Sequence, residues 1–436
     1  MISYRRGRRK TTIDIIKLVL LFLFLVPDTA FAYLDPGSGN ILVYITVSLF
    51  GAFLYSLKGF FWALVGNNLG KKVVDMDYNN IAVFSEGKNY WNTFRPILNA
   101  LIAMKQPFSY FSMDINDPGL TIEDDLMQSR YIGEGSVAFA KMGIVRSKIM
   151  ISTTPNIGTP GFPMPRPPYV ERLIHVCHAV DDIGLYAKGS LDHYDAVFLV
   201  GDFMASGIRY IEHRRGLKEK TLIPAGLPYL DDLASRVKHP LPVTDGKTIL
   251  IAPTWGPKSC LHKYGSDFIK NLAVAGFNII LRPHPHSWKV EAPILQQMRY
   301  ELAKVNNVEW DQEPDGAMAM EKADLLISEA SGIRMDFALL YERPVITLKI
   351  ELANPEKYEI SDMDEAWMGK AELIIGSVVT SDKIDNIAQI VADTLSQHKK
   401  RSLSAFREAN VCNFGSSGEF IAEYLINLVN GKRETV

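Results

Sequence analysis

The chain has 436 residues, of which 47% are apolar and 22% charged, a folded-protein composition that excludes disorder as the main state. Its 47 basic and 49 acidic residues leave a formal net charge of −2, so no bulk basic field exists to attract nucleic acid, and no nucleic-acid partner is expected. Three cysteines, Cys177, Cys260 and Cys412, are too few and too scattered for a disulfide framework or a paired-cysteine zinc site.

The N-terminus reads as a membrane address. Arg5, Arg6, Arg8, Arg9 and Lys10 precede an apolar run from Ile13 to Val26, broken only by Asp14 and Lys17, and Ala30-Phe-Ala32 has the small-x-small form of a signal-peptidase site. Residues 1–32 are therefore expected to be a signal peptide or a first membrane span. Residues 33–70 are expected to hold a transmembrane segment, since Ile41 to Leu64 carries one charge, Lys58, and about 20 apolar residues suffice to cross the hydrocarbon. The positive start stays in the cytoplasm. With or without cleavage, the chain after about residue 70 then faces the cytoplasm, which predicts a bacterial inner (cytoplasmic) membrane protein with its body on the cytoplasmic side.

From Ile81 onward short apolar runs alternate with helical patterns. Strands are expected at Ile81–Ser85, Phe108–Met113, Ile149–Thr153, Leu173–Cys177, Ala196–Val200 and Thr221–Pro224, with a helix over Trp91–Lys105. This rhythm predicts a mostly parallel sheet covered by helices. The polar, proline-containing stretch Ser235–Gly246 reads as a linker. The rhythm then restarts with strands at Thr248–Ala252, Asn278–Arg282, Val308–Trp310, Asp324–Ser328, Pro344–Leu348 and Leu373–Val379. Helices are expected at Ser266–Ala275, Val290–Val305, Gly332–Tyr341, Lys383–Gln397 and Gly418–Asn430. The expected division is two Rossmann-like domains, residues 71–238 and 239–398, facing a cleft, with a helical segment over 399–436.

Three stretches carry chemistry. Ile279-Ile-Leu-Arg-Pro-His-Pro-His286 ends a buried strand in a loop stiffened by two prolines. It presents Arg282, whose planar fork suits phosphate, with His284 and His286, residue types that can donate to a phosphate oxygen or transfer a proton. Asp324-Leu-Leu-Ile-Ser-Glu-Ala-Ser-Gly-Ile-Arg-Met-Asp336 turns from strand to helix through small residues, placing Ser328, Ser331 and Gly332 at a helix N-terminus, a natural anion seat. In Leu173-Ile-His-Val-Cys-His-Ala-Val-Asp-Asp182, His178 is expected to face the cleft from a strand end. His175, Cys177 and His178 are too crowded for a tetrahedral metal site, His175 reads as a satisfied core or edge histidine, and Asp181-Asp182 reads as a solvated turn, with a divalent-ion site as the alternative. No P-loop, dinucleotide fingerprint or nucleophile elbow is present in the sequence, which argues against the corresponding NTPase, dehydrogenase and hydrolase classes.

Four stretches, in order, resemble the CDP-glycerol glycerophosphotransferase family, the teichoic-acid polymerases and primases of GT-B fold. Ile223-Pro-Ala-Gly-Leu-Pro-Tyr-Leu-Asp-Asp232 is similar to a Gly-x-Pro-Arg-x-Asp segment, with Tyr229 in place of Arg. Ile249-Leu-Ile-Ala-Pro-Thr-Trp255 matches an Ala-Pro-Thr-Trp motif, and Arg282-Pro-His-Pro285 a histidine motif. Leu326-Ile-Ser-Glu-Ala-Ser-Gly-Ile-Arg-Met-Asp-Phe-Ala338 resembles a Thr-Asp-Tyr-Ser-Ser…Asp-Phe motif, with Glu329 for the acidic residue and Gly332 for the second serine. Cys177-His-Ala-Val180 stands where the family has Trp-His-Gly-Thr.

The resemblance implies an α/β, GT-B-like fold, here preceded by the membrane anchor read from the N-terminus, which is not part of the usual transferase core, with the first half taking the acceptor and the second the nucleotide donor. CDP-glycerol, or another nucleotide-diphosphate donor, would be held by Thr254, Arg282, His286, Ser328, Glu329, Ser331 and Gly332. His284 would stabilise or protonate the leaving phosphate, and His178 would act as base on an acceptor hydroxyl. No metal cofactor is expected, because basic side chains and a helix end take the place of a cation. A lipid-linked or glycan acceptor fits a tethered enzyme, since tethering raises the local concentration of both partners. Two other readings stay open: a GT-B glycosyltransferase using a nucleotide sugar, and a degenerate, non-catalytic nucleotide-binding scaffold, motivated by the altered Gly-Thr and Ser-Ser positions.

Overall fold

The computed structural model describes residues 79–237, 247–313, 316–350, 354–363, 366–398 and 402–432. The expected membrane segments 1–32 and 33–70 and most of the expected linker lie outside these residues. Among the described residues no helix is long and apolar enough to cross a membrane.

Two all-parallel sheets form the frame. The first has the order β3-β2-β1-β4-β5-β6-β7, built from Ile81–Ser85 (β1), Phe108–Ser112 (β2), Met127–Tyr131 (β3), Ser147–Ser152 (β4), Val170–Val176 (β5), Ala196–Leu199 (β6) and Thr221–Pro224 (β7). The second has the order β10-β9-β8-β11-β12-β13, from Thr248–Ile251 (β8), Asn278–Leu281 (β9), Val308–Trp310 (β10), Leu325–Ser328 (β11), Val345–Leu348 (β12) and Gly376–Val379 (β13). The inner strands are short, largely apolar runs; five, among them IAVFS and LLIS, are buried along their whole length, because a parallel sheet is covered on both faces. In each sheet the order reverses beside the first strand, between β1 and β4 and between β8 and β11. Ligands of open α/β sheets sit at that reversal, beyond the strands' carboxyl ends.

Helices follow the strands: Trp91–Ala103 (α1), Gly135–Met142 (α2), Phe203–Arg215 (α3), Pro228–Ala234 (α4), Cys260–Tyr264 (α5), Asp267–Val274 (α6), Ser287–Val290 (α7), Ala292–Leu302 (α8), Ala317–Lys322 (α9), Ile333–Tyr341 (α10), Trp367–Ile375 (α11), Ile387–His398 (α12), Leu403–Asn410 (α13) and Ser417–Val429 (α14). Two expectations need correction. The helix expected over Val290–Val305 starts afresh at Ala292, because Pro293 suits a first turn and not an interior. The strand expected over Leu373–Val379 begins only at Gly376. The residues before it end α11, which buries Met368, Ala371, Glu372 and Ile375 at i, i+3, i+4 and i+7 spacing and leaves Leu373 and Ile374 exposed.

The halves share a core. One apolar cluster runs from Phe84 and Leu173 of the first sheet region through Leu227 and Leu230 to Leu326, Phe337 and Val345 of the second. A strap at residues 354–363 reaches from the second half to the first. Lys188 N–H donates to the Lys357 carbonyl at 2.9 Å and Glu359 N–H to the Tyr186 carbonyl at 2.9 Å, while Arg215 pairs with Glu359 at 2.9 Å. The last helix, α14, sends Ile421, Ala422 and Leu425 into the same cluster as Phe94, Ile97 and Leu98 of α1.

The C-terminal crossing also meets the end of β7. Gly226 has φ +88°, and a Cβ there would stand 2.1 Å from the Cys412 carbonyl oxygen. Gly276 has a similar φ of +93° with nothing within 4 Å. Gly276→Ala therefore carries the backbone cost alone, about 1–3 kcal/mol. Gly226→Ala adds a clash with backbone that has no room to yield, and is expected to lower the denaturation midpoint clearly further. Equal midpoints would refute the close approach.

Candidate active site

A cleft of about 650 Å³ opens between the two halves. From the first half it is lined by Asn89, Asn92, Thr93, His178 and Ala179, with Tyr229, Leu233 and Arg236 around α4. Arg282, Gly316, Met320, Gly332, Ile333 and Asp336 close it from the second half. His178 is delivered by the loop after β5, Arg282 by the end of β9, and Gly332 and Asp336 by the start of α10.

His178 is largely buried. Its ring meets Tyr90 edge-on, with centroids 5.3 Å apart, and its Nδ1 has no hydrogen-bond partner. Burial lowers its pKa below the ordinary histidine value, while the nearby Asp181 carboxylate pulls it back up. The ring is therefore neutral at physiological pH and has the lone pair a general base needs. Arg282 pairs with Asp311 at 2.5 Å, which fixes the guanidinium at the cleft wall. At the start of α10, Gly332 is the N-cap; the Arg334 and Met335 N–H groups already donate to the Ser331 and Gly332 carbonyls at 3.2 and 2.9 Å, so the helix end offers the cleft its dipole and the N–H groups of Gly332 and Ile333.

His284 and His286 do not line this cleft. They stack on one another (centroids 5.4 Å, interplanar 10°), and Trp255, 53% exposed, tilts over both. The His286 backbone N–H donates to His284 Nδ1 at 3.1 Å. Burial, and then His286, lower the His284 pKa. In the neutral ring that results, the accepting Nδ1 leaves the proton on Nε2, which makes Nε2–H a donor.

Ser328 and Glu329 take roles different from those expected. The Ser328 hydroxyl is fully buried and donates to the Ala252 carbonyl at 2.6 Å. Glu329 is buried and accepts from Thr254 N–H at 2.8 Å and from Cys260 N–H. An anionic carboxylate with both oxygens already engaged repels a phosphate, so Glu329 pins the Thr254–Cys260 loop instead. Gly256 N–H, bonded to Glu291 at 2.8 Å, pins the same loop from the other side. Thr254 and Ser331 are partly exposed beside these anchors. Asp182 is no solvated turn: it is 2% exposed and accepts from Gly184 N–H and Met368 N–H, both at 2.8 Å, tying the first half to α11.

Asn89, Asn92 and Thr93 carry no signal in the sequence, and Asp336 and Tyr229 appear there only inside the family-like stretches, with no role attached. Asp336 lies on α10, which is buried from Arg334 to Tyr341, and its partner Tyr229 is 107 residues away, its hydroxyl 3.2 Å from Asp336 Oδ2. Such a pairing has no local pattern.

His175 lies in the core, edge-on to Tyr194 and Tyr186 with centroids 5.1 and 6.1 Å away, and neither ring nitrogen has a partner. Burial pushes its pKa down to about 3. The folded ring stays neutral while the unfolded one protonates below about 6.5, the ordinary histidine value. His175 therefore costs no stability above pH 6.5. Below that, down to about pH 3, stability falls by up to roughly 1.4 kcal/mol per pH unit on its account. His175→Phe is expected to flatten the acid limb of a stability–pH curve between pH 6 and 4. An unchanged limb would refute the burial argument.

The family model for CDP-Glycerol:Poly(glycerophosphate) glycerophosphotransferase matches residues 189–418. No curated protein matches the chain. Among solved structures, the wall teichoic acid polymerase TagF, soaked with CDPG, is similar with a TM-score of 0.52 and 15% identity over 88% of this chain and 98% of that one. The S. aureus MnaA–UDP structure has a TM-score of 0.51 and 13% identity over 81% and 98%. The UDP-GlcNAc 2-epimerase of Neisseria meningitidis bound to UDP-GlcNAc has 0.50 and 11% over 81% and 99%. These likenesses establish the α/β GT-B-like fold with its two parallel sheets. The family model spans more than half of the chain, in the region that supplies Arg282, His284 and the α10 N-terminus, and the chain belongs to the CDP-glycerol:poly(glycerophosphate) glycerophosphotransferase family, as an enzyme of that type.

Proposed function

We propose that this enzyme, anchored in a bacterial inner membrane with its body on the cytoplasmic side, transfers glycerol phosphate from CDP-glycerol to a hydroxyl of a lipid-linked or glycan acceptor. The observation that carries the reading is the cleft itself, in which a neutral histidine from one half, His178, opposes Arg282 and the open helix end at Gly332 from the other. The charged N-terminus and apolar run Ile41–Leu64 support the anchoring.

The donor diphosphate lies against Arg282 and the N-terminal end of α10, where fixed charge and the helix dipole offset negative charge without reorganising. His178 removes the proton of the acceptor hydroxyl as its oxygen attacks the phosphorus that carries glycerol. A new phosphodiester bond forms, the bond from that phosphorus to the bridging oxygen breaks, and CMP leaves. His284, two residues beyond Arg282 and outside the cleft lining, meets the nucleotide-side phosphate as CMP departs and offers it Nε2–H. Thr254, His286 and Ser331 lie on the same strand-end edge and serve the nucleotide.

The test uses the full chain in membranes or detergent, supplied with CDP-glycerol and undecaprenyl-linked saccharides, with release of CMP as the readout. Release with CDP-glycerol and not with UDP-GlcNAc is expected. Release of UDP from UDP-GlcNAc instead would replace this reading with a glycosyltransferase. Binding of neither nucleotide by folded protein would refute both.

A further inference from the structure

We propose that Asp336, held by Tyr229, reads a hydroxyl of the polyol carried on the donor's phosphate, and so sets which polyol the enzyme accepts. The inference rests on the donor reading above and adds a specificity residue to it. Asp336 lies one turn beyond Gly332 on α10, so a ligand group touching it is the neighbour of a phosphate seated at the helix end. Its side chain lines the cleft although the residue is only 7% exposed. One carboxyl oxygen, Oδ2, takes the Tyr229 hydroxyl at 3.2 Å. The other, Oδ1, is buried with no partner. A buried polar atom left unpaired is costly to the free protein and marks a place that a ligand completes.

The chemistry of the missing partner follows from the surroundings. The opposite wall offers Asn89, Asn92 and Thr93, neutral groups that both donate and accept. That wall suits uncharged hydroxyls better than a second phosphate. Burial, and then the neighbouring Asp181, push the Asp336 pKa up, the Tyr229 bond pulls it down, and it stands at about 7. A carboxyl that holds its proton part of the time sits beside a phosphate without full repulsion, and it both donates to and accepts from an alcohol. Tyr229 stands where the family segment has Arg. An arginine would engage the carboxylate with two N–H groups and hold it ionised. Tyrosine leaves one oxygen for the ligand.

The experiment compares binding of CDP and CDP-glycerol to the full chain in detergent, wild type against Asp336→Ala, Asp336→Asn and Tyr229→Phe, by titration calorimetry. The quantity read is the ratio of the two dissociation constants, which a general loss of folding or of nucleotide binding does not move. For Asp336→Ala, CDP-glycerol binding is expected to weaken at least about tenfold while CDP stays within about twofold. Asp336→Asn, which can still hydrogen-bond an alcohol, should recover most of the loss. A ratio unchanged in Asp336→Ala overturns the inference, whether both affinities fall or neither does. If Asp336→Ala does not fold, a ratio lowered threefold or more by Tyr229→Phe supports it, and an unchanged ratio overturns it. Wild-type protein that binds neither compound refutes the donor reading itself, whereas wild type that binds both with a ratio indifferent to these residues refutes only the role of Asp336.

Discussion

Arg334→Met is expected to cost about 3–5 kcal/mol of stability, the range for breaking one side of a buried ion pair. Arg334 is 1% exposed and is the largest of the fully buried side chains among the described residues. Its Nη1 donates to Glu372 at 2.6 Å and to Thr347 Oγ1 at 3.0 Å, and its Nε donates to the Ser331 carbonyl at 3.2 Å. Removing it strands the Glu372 carboxylate, 9% exposed on α11, and releases the Ser331–Gly332 turn that opens α10. The double variant Arg334→Met, Glu372→Leu removes both charges and is expected to recover most of the loss. Urea denaturation of the three variants decides it. A single variant that loses less than about 1 kcal/mol, or a double variant no better than the single, would show that the pair does not hold α10 to α11. The donor site should suffer as well, because the helix end that faces the cleft is positioned by this arginine.

Arg334 also illustrates what the sequence made legible. The strands could be read because parallel strands buried on both faces are unbroken apolar runs, and each of the twelve expected strand positions holds a strand in the fold. The exception in kind is β3, MQSRY, which escaped notice. It is an edge strand with one buried residue, so it has no apolar run to read. Leu373-Ile-Ile375 misled for the opposite reason, since three consecutive apolar residues fit a helix end as well as a strand. At the site, His178, Arg282 and Gly332 were legible because each ends a readable strand or opens a readable helix, and topology brings those ends to one edge. The separate fates of Ser328 and Glu329 were not legible. Whether a polar side chain at a strand end faces a ligand or its own backbone depends on neighbours such as Ala252, Thr254 and Cys260, about 70 residues away in sequence. The pairing of Asp336 with Tyr229, 107 residues apart, was not legible either.

His178→Ala is expected to lower kcat by about 10²–10⁴-fold, the usual worth of a positioned general base, while leaving the fold nearly untouched. Its Nδ1 makes no protein hydrogen bond, so the substitution strands no donor or acceptor and gives up mainly the edge contact with Tyr90. CDP-glycerol binding should stay within a few fold, because Arg282 and the α10 N-terminus remain. The pH profile gives a second, independent check. A base is active when deprotonated, and burial holds the His178 pKa below the ordinary value. The rate, read as kcat/KM, should therefore be flat above about pH 6.5 and fall on the acid side. Asp181 is the group that raises this pKa. Removing its charge in Asp181→Asn should move the acid limb to lower pH, since the imidazolium loses its stabilising neighbour. A shift to higher pH, or a His178→Ala enzyme with undiminished kcat, would place the base elsewhere in the cleft. Asp336 would then be the next residue to test, as a group lining the cleft whose pKa burial pushes up to about 7.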